Sequence, residues 1–155
     1  MKKLSVAIVG ATGLVGQEFI KTLEQRCFPM SSVRLYASDR SHGKKMRVGN
    51  EQMEVKETTG DSFAGIDIAL FSAGADISRQ FSPIAARSGA VVVDNSAAFR
   101  MAPDVPLVVP EVNPEDIAKN HGIIANPNCS TIQMVVVLYP LHKVNPIKRI
   151  TVATY

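Results

Sequence analysis

The tightest constraint on this chain is a glycine turn set between a buried-strand pattern and an amphipathic-helix pattern. Residues 4–9, LSVAIV, are nearly all branched and apolar, the composition of a strand covered on both faces. GATGLVG occupies residues 10–16 and leads into a helix expected over 14–25. On that helix Val15, Phe19 and Leu23 share one face with Ile20 beside them, and Gln17, Lys21 and Glu24 face away. Gly10 permits a tight turn, Gly13 lets backbone N–H groups reach a pyrophosphate at the helix N-terminus, and Gly16 allows close helix–strand packing. A glycine-rich turn that merely packs a helix on a sheet is the plainer alternative. Strand, spacing and helix together favour a dinucleotide.

The pattern then repeats in kind. A strand is expected at 33–37, a polar loop at 38–45, a strand or hairpin pair at 46–58 and an apolar strand at 67–71. A helix is expected from about 76 to 87, closed by Gly89, and a buried strand at 90–93. Pro103, Pro106, Pro110 and Pro114 bracket a short strand at 107–109 and a short helix near 115–119. A strand at 122–125, a largely apolar helix from roughly 131 to 142 and a strand over 148–155 complete the reading. Strands alternating with helices imply an α/β fold, a Rossmann-like doubly wound and mostly parallel sheet. The strand at 148–155 has no partner after it, so the chain reads as part of a longer protein, with an apolar edge prone to association or partial disorder near 150–155.

Composition excludes several classes. Hydrophobic residues make up 46% and charged residues 20%, ordinary for a globular domain of 155 residues. The net charge of +3 is spread without a run, which gives no support to a nucleic-acid or membrane-surface partner. No apolar stretch approaches a membrane span, and the apolar run after Met1-Lys2-Lys3 is too brief for a signal peptide. Cys27 and Cys129 lie far apart with no CxxC pair or Cys/His cluster, so neither a disulfide framework nor a metal site is expected. The expected location is a reducing cytoplasm.

Cofactor type is decided after the second strand, where a carboxylate binds the ribose 2′-OH of NAD and an arginine accommodates the 2′-phosphate of NADP. Asp39 and Arg40 stand side by side there, a mixed signal. Arg40, Ser41, Lys44 and Lys45 together offer several donors and favour NADP, with a solvated polar loop as the alternative. Three later strands end in small polar residues: Ser72-Ala73-Gly74, Asp94-Asn95-Ser96 and Asn126-Pro127-Asn128-Cys129. In an open parallel sheet all of these ends face the crevice that holds the glycine turn. Arg100 follows the second of them and suits a carboxylate or phosphate substrate. Cys129 falls at or near the start of a helix, where N–H groups and the macrodipole favour a thiolate. A thiolate beside a nicotinamide suggests acyl-enzyme chemistry. Cys27, next to Phe28-Pro29, is expected to be a small buried hydrophobe.

GATGLVG, SDRSHGK, FSAGAD, DNSAAFRM, VPEVN and PNCST, in this order, resemble the N-terminal portion of the aspartate-β-semialdehyde dehydrogenase family. The resemblance runs over the whole chain, and PNCST with DNSAAFRM is its specific part. It implies an NADP-dependent phosphorylating aldehyde dehydrogenase that reduces L-aspartyl-4-phosphate to aspartate semialdehyde, releasing inorganic phosphate, in the biosynthesis of lysine (through diaminopimelate), methionine and threonine. It further implies a homo-oligomer, a homodimer, for the full-length protein. By this resemblance Cys129 is the acyl-thioester nucleophile, with Asn128 orienting substrate beside it. Arg100 is the phosphate contact, with Asn95 and Ser96 nearby. Gly10, Thr12, Gly13, Leu14 and Val15 hold the cofactor pyrophosphate, Arg40 and Ser41 the 2′-phosphate, and Ser72, Ala73 and Gly74 line the cleft.

The general acid–base histidine and the residues that hold the amino-acid substrate are implied to lie in a C-terminal half. None of His42, His121 and His142 fills that role, and this chain alone is expected to bind nucleotide with little or no turnover. Residues 1–128 then read as the dinucleotide-binding domain, and 129–155 as the nucleophile helix and first strand of a catalytic and dimerisation domain. N-acetyl-γ-glutamyl-phosphate reductase is the competing enzyme, with a tyrosine usual after its cysteine where Ser130 and Thr131 stand here. A nucleotide-binding module without catalysis is the competing non-enzyme.

Overall fold

The computed structural model describes residues 2–154. The chain runs through β1 (Leu4–Val9), α1 (Leu14–Gln25), β2 (Met30–Ala37) and a hairpin of β3 (Lys45–Val48) with β4 (Glu51–Glu57). It continues through β5 (Ile68–Phe71), α2 (Ala75–Arg87) and β6 (Val91–Asp94) to β7 (Ile123–Ala125) and α3 (Cys129–Val144). The strands form one sheet in the order β3-β4-β2-β1-β5-β6-β7. Among the described residues only the β3–β4 pairing is antiparallel. This is the mostly parallel, doubly wound sheet expected from the sequence.

β1 shows why its sequence is apolar from residue 6 onward. Val6, Ala7, Ile8 and Val9 are all fully buried at the centre of the sheet. Successive side chains point to opposite faces. Val6 and Ile8 therefore join Ile20, Leu35 and Val55 on the α1 side, while Ala7 and Val9 join Phe63, Phe71 and Phe81 on the α2 side. Phe63 anchors the second layer, its ring stacked on Phe71 at 5.8 Å and tilted against Phe81 at 6.5 Å.

Several expectations need correction. On α1 the buried residues are Gly16 and Ile20, and Val15 is 40% exposed, because the helix turns its glycine rather than its valine to the sheet. Residues 107–109 form no strand: a single parallel bridge joins Leu107 to Ala125. Val108 N–H donates to the Ala125 carbonyl at 3.0 Å and Ala125 N–H to the Pro106 carbonyl at 2.9 Å, but Pro106 and Pro110 lack the N–H donors that would extend the ladder. Residues 148–154 form no strand either, since no neighbouring strand supplies the ladder, and Ile150 and Val152 are exposed. Tyr155, also in that expected strand, lies outside the described residues.

Cys27 is exposed, not buried. It follows the C-cap Arg26 of α1 with φ +48, the left-handed position at which a helix normally ends on glycine. Its N–H bonds to Glu24 O and that of Phe28 to Leu23 O, both at 2.9 Å, the paired bonds of a Schellman ending. Phe28 and Leu23 pack against the core while the thiol turns outward. Among the described residues no helix is long and apolar enough to cross a membrane, and no cluster of His, Cys, Asp or Glu could hold a metal ion.

Candidate active site

The chain order reverses between β1 and β5: from β1 the sheet grows outward through β2, and the chain then returns to start again at β5. The crevice outside the carboxyl ends of these two strands is where open α/β sheets bind ligands. Here those ends are Gly10 and Ser72, and Ser72 N–H bonds to Val9 O at 2.9 Å. Gly10 has φ +88, and a Cβ on it would lie 2.7 Å from the Ser72 carbonyl carbon. A Cβ on Gly16 would lie 2.7 Å from Ala11 Cα, so both positions require glycine for close backbone approach. Gly13 differs. Its φ of −74 is open to any residue, and its bare Cα keeps the mouth of the turn clear.

Gly13 is the N-cap of α1 and supplies no side-chain cap, and the first turn carries no acidic residue. The leading N–H groups of the helix, at Leu14 and Val15, have no intrahelical acceptor and carry the positive end of the macrodipole. A cleft of about 570 Å³ opens beside them, lined by Gly10, Thr12, Gly13, Ser72 and Ala73. Ser38, Asp39, Glu57 and Thr58 also line it. Of these, Ser38, Glu57 and Thr58 were not singled out in the sequence. Their signal is the parallel pairing of β4 with β2, which aligns Glu57 with Ala37 and carries Thr58 N–H to Ala37 O at 3.0 Å. A hairpin reading of 46–58 does not reveal that pairing.

The donors expected around Arg40 are not gathered in one place. Ser41 is buried, its hydroxyl 3.3 Å from that of Thr12. Arg40 is exposed and does not line the cleft. Lys44 and Lys45 line a separate groove of about 680 Å³ between α1 and β3, which shares Thr12.

The later strand ends form a staircase along the same edge of the sheet. Ser72 N–H bonds to the last residue of β1, Asn95 N–H to Phe71 O at 2.9 Å, and Asn126 N–H to Asp94 O at 2.8 Å. Asp94 organises the second step from a fully buried position. Its carboxylate accepts from Ser78 Oγ at 2.8 Å, Ser96 N at 3.0 Å and Ser96 Oγ at 2.8 Å. Ser96 Oγ in turn accepts from Ala98 N at 3.0 Å, so Ser96 shapes the loop toward Arg100. Ser78, a polar residue on the buried face of α2, is a partner the sequence reading did not include.

Arg100 is half-buried and donates from Nε to Asn126 O at 3.0 Å and from Nη2 to Asn95 O at 3.2 Å. Asn126 Nδ2 donates to Asn95 Oδ1 at 2.7 Å, closing the link between the ends of β6 and β7. Two residues on, Asn128 is the N-cap of α3: its Oδ1 accepts from Ser130 N at 3.0 Å and Thr131 N at 3.3 Å. α3 thus begins two residues earlier than the sequence pattern suggested, because the capping bonds bring Cys129 and Ser130 into its first turn. Cys129 is the first helical residue and is exposed.

His142 lies apart from this thiol. His142 is 13 residues along α3, about 20 Å by helical rise, and its Nδ1 accepts from Ile147 N at 3.0 Å. His42 Nδ1 accepts from Glu57 N at 3.2 Å. Groups with displaced titration lie outside the cleft. The Ser5 N–H and the Lys2 ammonium hold Asp67 below its usual range, and Lys119 and Asn113 do the same for Asp116. Asp116 in turn raises Lys119.

The family model described as "Semialdehyde dehydrogenase, NAD binding domain" matches residues 5–120. Aspartate-semialdehyde dehydrogenase of Aquifex aeolicus (strain VF5) is 58% identical over 153 residues, which is 97% of this chain and 45% of that protein. The crystal structure of aspartate semialdehyde dehydrogenase II complexed with ASA from Vibrio cholerae superposes with a TM-score of 0.91 at 48% identity, over 96% of this chain and 49% of that one. That of aspartate semialdehyde dehydrogenase with NADP from Candida albicans superposes with a TM-score of 0.81 at 30% identity, over 94% of this chain and 48% of that one. The chain spans about half the length of these relatives.

Proposed function

This chain belongs to the semialdehyde dehydrogenase family, and from that premise we propose that it is the cofactor-binding and nucleophile-bearing part of an NADP-dependent aspartate-semialdehyde dehydrogenase. The observation that carries the reading is the placement of Cys129. It opens α3 on the same sheet edge as the glycine turn and is tied through Asn126 to Arg100.

The cleft fits a dinucleotide: glycines at 10 and 13 clear its floor, and the uncapped N–H groups of Leu14 and Val15 suit a pyrophosphate. Thr12, Ser72, Ala73 and Gly74 line or adjoin it, with Arg40 and Ser41 beyond β2 as the 2′-phosphate contacts. When bound, the cofactor supplies hydride in one direction and accepts it in the other. Cys129 Sγ attacks the acyl carbon of L-aspartyl-4-phosphate; the new C–S bond replaces the C–O bond, and inorganic phosphate leaves with that electron pair. Arg100 holds the departing phosphate, and its guanidinium is preset by the two carbonyls it already bonds. Asn128 fixes the helix start that favours the anionic sulfur. Asn95 and Ser96 hold the substrate side of the crevice. In the oxidative direction the same residues pass the acyl group from sulfur to phosphate.

Residues 1–128 form the dinucleotide-binding unit in this reading, and 129–155 begin a catalytic and dimerisation unit. α3 supports that division: it buries no residue and leaves Val137, Leu141 and Val144 exposed. The full-length protein is a cytoplasmic homo-oligomer in amino-acid biosynthesis leading to lysine, methionine and threonine. The test is a substrate panel on the full-length protein with NADP and phosphate. Oxidation of aspartate semialdehyde in preference to N-acetylglutamate semialdehyde is the expected result, and the reverse preference, or no turnover with cofactor bound, refutes it.

A further inference from the structure

The lining of the cleft carries two carboxylates that the reaction does not use. Asp39 follows β2, and Glu57 ends β4 directly beside it, in register with Ala37. Both are exposed and both line the cleft. Among the described residues neither carboxylate has a hydrogen bond or an ion pair, so neither is occupied by the fold itself. No residue lining this cleft is a lysine or arginine. The cations expected to serve a phosphate stand elsewhere, Arg40 outside the lining and Lys44 and Lys45 in the groove on the other side of Thr12.

We propose that Asp39, reinforced by Glu57, sets the cofactor preference of this cleft and opens it to NAD(H) as well as NADP(H). The proposal rests on the dinucleotide reading above and refines it. The position just past β2 faces the ribose next to adenine, where a carboxylate accepts a hydrogen bond from a free 2′-OH. A 2′-phosphate placed there puts like charges side by side, and in an open cleft that repulsion is moderate rather than prohibitive. Arg40 and Ser41 offset part of it, so NADP(H) keeps only a narrow margin over NAD(H).

The test titrates the full-length protein and its Asp39→Ser and Glu57→Gln variants with NADPH and with NADH, following nicotinamide fluorescence. The wild type is expected to bind the two within about tenfold of each other. Asp39→Ser shifts the ratio toward NADPH by about tenfold at low ionic strength, and by less as salt is added. Glu57→Gln shifts it the same way by a smaller factor. An unchanged ratio in Asp39→Ser, or a wild type that prefers either nucleotide by clearly more than about tenfold, overturns the proposal while leaving the dinucleotide reading intact. A wild type that binds neither nucleotide overturns both.

Discussion

Arg100 donates its Nε–H to the main-chain carbonyl of Asn126 at 3.0 Å, which locks a cation to the loop that delivers Cys129. A second bond from Nη2 to Asn95 O uses the fork geometry that only a guanidinium has. Arg100→Lys keeps the charge and loses the fork. In the full-length enzyme we expect the KM for phosphate to rise about tenfold to a hundredfold, with a smaller change in the KM for NADP. Steady-state kinetics in the oxidative direction separates the two; equal rises in both would remove Arg100 from the phosphate site.

The glycines divide into structural and functional positions. Gly16→Ala forces a methyl group against Ala11 Cα and is expected to destabilise by about 2 kcal/mol or more. Gly13→Ala meets only Gly10 O at 3.3 Å and should fold, yet it narrows the mouth of the turn and weakens NADPH binding. Urea denaturation and cofactor titration of the two variants should show opposite profiles.

Two serines on one buried face of α2 should respond in opposite senses. Ser78 donates to the buried Asp94, so Ser78→Ala strips a donor from a carboxylate and costs about 1–3 kcal/mol. Ser82 is equally buried and its Oγ has no partner among the described residues, so Ser82→Ala is neutral or stabilising by about 1 kcal/mol. Paired denaturation curves check both.

Cys27→Gly should raise stability by about 0.5–1 kcal/mol, since glycine adopts the left-handed position at the end of α1 without a Cβ penalty. A fall in the denaturation midpoint would mean the thiol makes a contact that offsets the strain.

Asp67 ties β5 to β1, accepting Ser5 N–H at 2.8 Å and Lys2 Nζ at 2.9 Å. Its pKa lies below the ordinary 3.8, so folding binds it in the ionised form more tightly than unfolding does. Its contribution is complete above pH 3.8 and is lost as pH falls through the lowered folded value. Asp67→Asn should therefore lower stability at neutral pH and flatten the acid limb of a stability–pH profile. A variant with an unchanged acid limb would contradict the assignment.

Much of the fold was legible because its signals are local. LSVAIV had to be covered on both faces, and the glycine spacing between it and α1 admitted one turn geometry. Cys129 could be placed at a helix start because Asn128 caps through atoms two and three residues away. What the sequence hid depends on partners distant in the chain. Glu57 and Thr58 reach the cleft only through β4 pairing with β2, and Ser78 matters only because α2 lays it on Asp94. Residues 148–154 carry strand chemistry but lack a neighbouring strand, and Cys27 faces water because the backbone ending of α1, rather than its hydrophobicity, sets its direction.

The most direct test of the account is to trap the acyl-enzyme. The full-length protein is mixed with L-aspartyl-4-phosphate in the absence of reduced cofactor, and its peptides are mapped by mass spectrometry. We predict a hydroxylamine-sensitive aspartyl thioester on Cys129, absent from Cys129→Ser and absent from Cys27 in the wild type. An adduct on Cys27 alone, or an equal yield in Cys129→Ser, would contradict it.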